Sequence, residues 1–331
     1  MKAKILVLFC GGTMVMMRNA EGSLSSPSAE KALELIRSLE PQVFERVDVT
    51  VEFIFNGDSS NILPPIWDEI GQAIYKAYDS YDGFVIIHGT DTMAFTSSAL
   101  SLSLKNLGKP VVLTGAQIPG SYINSDARLN WVNAVLLATE NVAGVMILFG
   151  KSIFDGAKVC KVSHSRLDAF SSINAPLLGE VQTQIILSAS ARKRHEHKMD
   201  WEGGFDSKVS LILLFPGICL DFLVPSLGKE LKGIILAAYG TGNISSCHLP
   251  FLQKAQDKKV PIIIRTQCLE GTTCMNIYET GRQALEYGVI EAYEMSLESS
   301  LVKLMWALDK KVPYERMRET LHQNSPKEVF L

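Results

Sequence analysis

The sequence predicts an α/β protein in which a larger N-terminal domain with a doubly wound, mainly parallel sheet precedes a smaller C-terminal α/β domain. Three observations carry this. A chain of 331 residues is too long for one minimal core and comfortable for two domains. Apolar runs of strand length recur without alternation, as at residues 5–9 and 83–88, which suits strands buried on both faces. Segments with helical spacing separate these runs, and such βαβ alternation folds into a parallel sheet covered by helices.

The elements follow in order. Residues 5–9 and 47–55 read as the first two strands. Pro64 and Pro65 open a helix in which Ile66, Ile70 and Ile74 recur every fourth residue, with Ala73 and Ala77 widening the apolar face. A strand over 83–88 leads at once into a helix with Phe95, Ala99 and Leu102 on one stripe and Leu100, Leu104 and Leu107 on another, stopped by Gly108 and Pro110. Strand 111–114, helix 124–140 and strand 142–149 complete the alternation. Polar residues between 189 and 208, including Gly203 and Gly204, read as a connection between domains. Strands at 209–215, 231–238 and 260–265 follow, with helices at 296–308 and 313–322. The expected division is an N-terminal domain over 1–190, a linker over 191–208 and a C-terminal domain over 209–331.

Composition narrows the function. The chain is 47% apolar and 20% charged, ordinary for a globular protein, and 32 basic against 35 acidic residues leave a formal charge of −3. That balance argues against a nucleic-acid binder, which needs a basic face to neutralise phosphates. No stretch reaches the ~18–20 apolar residues of a membrane span. Lys2 and Lys4 precede a five-residue apolar run ending in Phe9-Cys10, too short and too bulky at its end for an export signal, so a buried first strand is expected. The six cysteines include no Cys-x-x-Cys pair and read as free thiols of a cytoplasmic protein. His195 and His197 lie among Arg192, Lys193, Arg194 and Lys198, whose charges oppose a cation, and no further ligand spacing accompanies them. A metal ion is not expected.

Ligands of open parallel sheets sit beyond the carboxyl ends of strands. Two strand ends stand out. Cys10-Gly11-Gly12-Thr13 brings backbone donors close to a bound group and delivers a hydroxyl immediately afterwards. Residues 14–28, with Gly22 and several serines, read as a cover over it. The second is His88-Gly89-Thr90-Asp91-Thr92. There Thr90 falls where a helix N-cap belongs and Asp91 in the first turn, yet capping alone leaves a second strand-end threonine unexplained. Dinucleotide and nucleotide phosphate loops and the Gly-x-Ser-x-Gly elbow are absent. A threonine hydroxyl attacks only when a base takes its proton. His88 is one candidate, and a lysine made less basic by burial and neighbours is the other.

Together these residues resemble the two signatures of the bacterial-type L-asparaginase family, most closely its cytoplasmic (type I) branch. The resemblance spans nearly the whole chain and includes Asp58-Ser59-Ser60, residues 107–110, Thr114-Gly115-Ala116-Gln117-Ile118-Pro119 and Tyr239-Gly240-Thr241-Gly242-Asn243. It implies homodimers or dimers of dimers that hydrolyse the side-chain amide of L-asparagine to L-aspartate and ammonia without metal or cofactor. It also implies Thr13 as the nucleophile that forms a β-aspartyl ester, and Thr90, Asp91 and Lys161 as a second catalytic group with Lys161 as base. Which threonine attacks stays open. Gly12, Asp58, Ser59, Gly89, Ala116 and Asn243 would bind substrate, Asn243 in the neighbouring subunit's site. Backbone N–H groups near Gly12 and Thr90 would receive charge developing on the amide oxygen, and those at the start of the helix after Thr90 would take the α-carboxylate.

Four departures from that pattern matter. Cys10 replaces a threonine. Ser23 stands where the family carries a loop tyrosine that helps activate the first threonine, and a serine hydroxyl is shorter and far less acidic than a phenol. Asp155-Gly156-Ala157-Lys158 replaces Arg-Gly-Asn-Arg, and Ala238 replaces an arginine of a second, regulatory asparagine site, so activation by substrate is not expected. Two other readings remain: an asparagine-binding pseudoenzyme or sensor, motivated by Ser23, and an ammonia-supplying subunit of a tRNA-dependent amidotransferase, which would carry an extra domain before the first strand.

Overall fold

A computed structural model of the chain describes residues 2–322. The chain divides between Gly203 and Gly204 into two compact units. In the first, an eight-stranded sheet runs in the order Ile185–Leu187, Gly179–Val181, Ser152–Asp155, Gly144–Phe149, Pro110–Thr114, Gly83–His88, Lys4–Cys10, Asp48–Phe53. Pairing is parallel from Gly144–Phe149 to Asp48–Phe53 and antiparallel across the other three strands. Counted along the chain, the parallel strands lie in the order 2-1-3-4-5. The winding therefore reverses between Lys4–Cys10 and Gly83–His88, the place where open sheets of this order bind ligands. Their register sets Phe9 opposite Ile87 and Cys10 opposite His88, so the loops after both strands emerge side by side.

Burial explains the continuous apolar runs. Ile5, Val7 and Phe9 pack with Ile36 of helix Ala29–Leu39 and with Trp131 and Ala134 of helix Ala127–Thr139, while Leu6 and Leu8, which point to the opposite face, are equally buried. The second unit repeats the logic on a smaller scale. Its four parallel strands are Val209–Leu213, Gly233–Ala238, Ile262–Thr266 and Ile290–Glu291. Ile234 and Leu236 pack with Leu252 and Ala255 on one side, and Ile235 and Ile263 with Leu304 and Met317 on the other. Among the described residues no helix is long and apolar enough to cross a membrane.

Several local expectations change. The helix after His88 begins at Met93, so Thr90 is not its cap and Asp91 lies before its first turn. That helix ends at Ser103, and Leu104–Lys105 pairs instead with Asp200–Trp201 from the polar stretch between 189 and 208. Helix 124–140 is shorter, Ala127–Thr139, because turns at Tyr122 and Ser125 occupy the preceding residues. The structure adds helix Ala29–Leu39, capped by Ser28 accepting from the Lys31 N–H, and short antiparallel strands between 150 and 190.

Candidate active site

The two strand-end loops touch. Gly12 has φ of +98°, and a Cβ there would lie 2.5 Å from the Gly89 nitrogen, so only glycine lets the loops approach. Gly89 is similarly constrained, since a Cβ would lie 2.6 Å from Ser59 Oγ. The Gly12 N–H is donated to Gly57 O at 3.1 Å and is not free to receive charge on a substrate. Ser59 is only 2% exposed, and its carbonyl accepts from Thr92 Oγ1 at 2.8 Å. Asp58, exposed beside it, accepts from the Ser60 N–H at 2.8 Å. The Ser60 hydrogen bonds hold the Asp58 carboxyl below its usual range against the opposing effect of burial, with the Lys161 charge adding a smaller push in the same direction as the hydrogen bonds.

Thr90, 6% exposed, is held from two sides. Lys161 Nζ donates to Thr90 Oγ1 at 2.7 Å and to Asp91 Oδ1 at 2.6 Å, and the Thr90 hydroxyl donates to Gln117 Oε1 at 3.2 Å. Lys161 ends the short strand Val159–Lys161, paired antiparallel with Phe170–Ser172. Its side chain is 16% exposed against 62% for Asp91, so the ammonium reaches out of the protein toward a carboxylate that faces solvent. Val159–Lys161 follows a tight turn in which Asp155 Oδ1 accepts from the Ala157 N–H at 2.9 Å; Asp155-Gly156-Ala157-Lys158 is thus turn chemistry.

His88 does not serve these groups. Its Nδ1 bonds Gly89 O at 2.7 Å and its Nε2 bonds Thr96 Oγ1 at 2.8 Å. A carbonyl only accepts, so Nδ1 carries the proton and Nε2 accepts the Thr96 hydroxyl. Burial lowers its pKa from 6.5 to about 4. Because the unfolded chain binds this proton more readily than the folded one, His88 opposes folding as pH falls from 6.5 toward 4. The associated loss is ~3 kcal/mol. His88→Gln should therefore flatten the fall in stability over that window in urea titrations; an unchanged slope would mean that His88 is not the group responsible.

Thr13 opens the short turn Thr13–Val15, and among the described residues its hydroxyl has no hydrogen-bond partner. The stretch expected to form a cover, residues 14–28, contains a hairpin of Met17–Arg18 and Leu24–Ser25. Ser23 is held at the hairpin's tip, its Oγ donating to Asn19 Oδ1 at 3.1 Å, while Arg18 Nε donates to the Tyr122 hydroxyl at 2.7 Å. Ala116 is buried. Asn243 lies in the second unit, where its Oδ1 accepts from Thr280 Oγ1 at 3.2 Å. Ala238 is buried in strand Gly233–Ala238. His195 and His197 pack ring against ring, and among the described residues no group of three or more His, Cys, Asp or Glu could hold a metal ion.

Sequence reasoning alone misses Gln117 and Asp126. Asp126 accepts from the backbone N–H groups of Gln117 and Ile118 at 3.0–3.1 Å and from Asn130 Nδ2 at 3.1 Å. It fixes the loop that presents Gln117 to Thr90. Gln117 lies within the 114–119 motif, but nothing in its spacing says which way its amide points.

This arrangement has known counterparts. Residues 4–193 match the family model described as "Asparaginase, N-terminal", and residues 208–321 match "Glutaminase/Asparaginase C-terminal domain". The chain belongs to the asparaginase family. It is 35% identical to L-asparaginase 1 of Escherichia coli over 98% of its own length and 97% of that protein. It is also 35% identical to a glutamyl-tRNA(Gln) amidotransferase subunit of Pyrococcus abyssi, covering 98% of this chain and 76% of that protein. Among solved structures, L-asparaginase I from Vibrio cholerae superposes with a TM-score of 0.87 at 32% identity, each chain covered completely. The similarity to type I asparaginases includes the doubly wound fold on which the two threonines stand.

Proposed function

We propose that this protein is an L-asparaginase, hydrolysing L-asparagine to L-aspartate and ammonia by acyl transfer to threonine. The observation that carries this reading is the Thr90–Lys161–Asp91 contact, set at the sheet's switch point beside the Gly12–Thr13 turn. Thr13 attacks the side-chain amide carbon and its hydroxyl proton passes to the amide nitrogen, which leaves as ammonia; water then cleaves the β-aspartyl ester, its oxygen joining the aspartate carboxylate and a proton returning to the Thr13 oxygen. Lys161, once neutral, takes the proton of Thr90 or of the attacking water, and Asp91 stabilises the charge that results. Backbone N–H groups of Thr13 and Thr90 receive the developing oxyanion.

Asp58 and Ser59 hold the zwitterionic end of the substrate, Gly12 and Gly89 admit it, and the Ala116 backbone faces the amide. The catalytic threonines belong to an N-terminal domain and Asn243 to a C-terminal one, acting in the neighbouring subunit of a homodimer or dimer of dimers. The protein works in the cytoplasm without metal or cofactor. The experiment is ammonia release from L-asparagine by the purified chain. Release should fall at least ~10²-fold in Thr90→Ala, and equal release by that variant would point to a contaminating enzyme.

A second reading has one observation in its favour. Ser23 bonds Asn19, and among the described residues the Thr13 hydroxyl has no partner, as in a protein that binds asparagine without cleaving it. Saturable asparagine binding with no ammonia release from folded protein would select that reading.

A further inference from the structure

Gln117 lies between the loop that follows Lys161 and the threonine that Lys161 touches. Its Nε2 donates to Arg166 O at 3.1 Å and to Ser163 O at 3.4 Å, and its backbone N–H is fixed by Asp126. Both Nε2 partners are carbonyls, which only accept, so the amide cannot be flipped and Oε1 must face Thr90. That oxygen accepts the Thr90 hydroxyl at 3.2 Å. A hydroxyl has one proton, so with its hydrogen on Gln117 the Thr90 oxygen can only accept from Lys161. The lysine is thereby held as the donor in their 2.7 Å contact.

We propose that Gln117 is a positioning residue that sets the direction of the Thr90–Lys161 hydrogen bond, keeping Lys161 in its charged, resting form until substrate displaces the Thr90 hydroxyl from Gln117. The inference rests on the asparaginase reading above, in which Lys161 must become neutral to accept a proton. On this account the resting site is safe from idle proton transfer, and the amide of Gln117 is the element that substrate must outcompete. The Thr90 proton turns from Gln117 Oε1 to the lysine nitrogen, and the ammonium proton that Lys161 loses goes to solvent. No bond to carbon changes in this step.

The charged groups around the pair are few. Asp91 contacts Lys161 from the turn before helix Met93–Ser103, and Asp58 lies within its electrostatic reach. Asp126 stands behind Gln117 on the backbone side. Arg166 turns its guanidinium to Asp168 at 3.5 Å and offers only its carbonyl to Gln117. His164 is exposed on the same loop, and His88 beneath the strand end is neutral above about pH 4.

The test is the pH profile of kcat/KM for L-asparagine, which reports the free enzyme in which the Gln117 contact exists, in the full-length protein and in two variants of nearly equal size. Gln117→Met removes the acceptor, which should move the acid limb of that profile down by about half to one pH unit, the shift expected for one lost hydrogen bond. Gln117→Glu places a charged acceptor on Thr90, which favours the ammonium and should move the limb up by about one unit or more. A residue that only held the 163–166 loop would lower kcat/KM in both variants and leave the limb in place. Limbs that stay fixed or move in the same direction, in an active wild type, overturn this inference alone. A wild type that releases no ammonia overturns the asparaginase reading and this inference with it.

Discussion

Lys161→Ala is expected to lower kcat for L-asparagine by roughly 10³-fold with KM changed only a few-fold, the size of effect that removal of a general base has elsewhere. Lys161 is the amine that touches Thr90, and its second bond, to Asp91 Oδ1 at 2.6 Å, orients it without burying the carboxylate. Two controls separate a base from a fixed positive charge. Lys161→Arg keeps the charge but cannot give up a proton near neutrality, so it should be nearly as inactive as Lys161→Ala. A small primary amine such as ethylamine, added to Lys161→Ala, should restore part of the lost rate in proportion to its free-base concentration. Full activity in Lys161→Arg would refute the base role and leave the lysine an electrostatic one.

The site was legible where chemistry is local and hidden where it depends on orientation. Residues 5–9 and 83–88 read as strands because both faces are buried, and that also placed both threonines at strand ends. Thr90 looked like a helix cap because its neighbours are capping residues. The structure instead begins the helix at Met93 and sends the Thr90 hydroxyl to Gln117. The competing principle is that a short polar side chain takes whichever acceptor the tertiary fold supplies. Leu104 continued a helical stripe, yet its backbone pairs with Trp201, nearly a hundred residues away in sequence, a partner that no window of spacing contains. The three-residue strands Gly179–Val181 and Ile185–Leu187 are too short to display alternation. Lys161 became a candidate only through the family resemblance, since a lysine at a strand edge otherwise reads as a solvated charge.

Thr13→Ala should abolish turnover to within measurement, a loss of at least roughly 10³-fold, while Ser23→Ala should leave kcat within about twofold. The contrast follows from what each hydroxyl does. Ser23 Oγ donates to Asn19 Oδ1 within its own hairpin, where the Ser23 N–H already bonds the same oxygen at 3.0 Å, so the hairpin keeps its shape without the hydroxyl. Thr13 stands on the backbone bend that Gly12 makes at φ +98°, beside the Gly89 loop, and no protein group engages its hydroxyl among the described residues. An unengaged hydroxyl is a poor nucleophile, so its activation has to arrive with the substrate or with movement of the hairpin. Ser23→Tyr tests the second route directly. A phenol at this position that raised kcat would show that the hairpin can close over Thr13 and that the serine limits the rate. A rate unchanged by the tyrosine would place the activating group on the substrate side of the site. Should Thr13→Ala retain wild-type turnover, Thr90 would be the nucleophile, and Lys161 would then be its base at the 2.7 Å distance already in place.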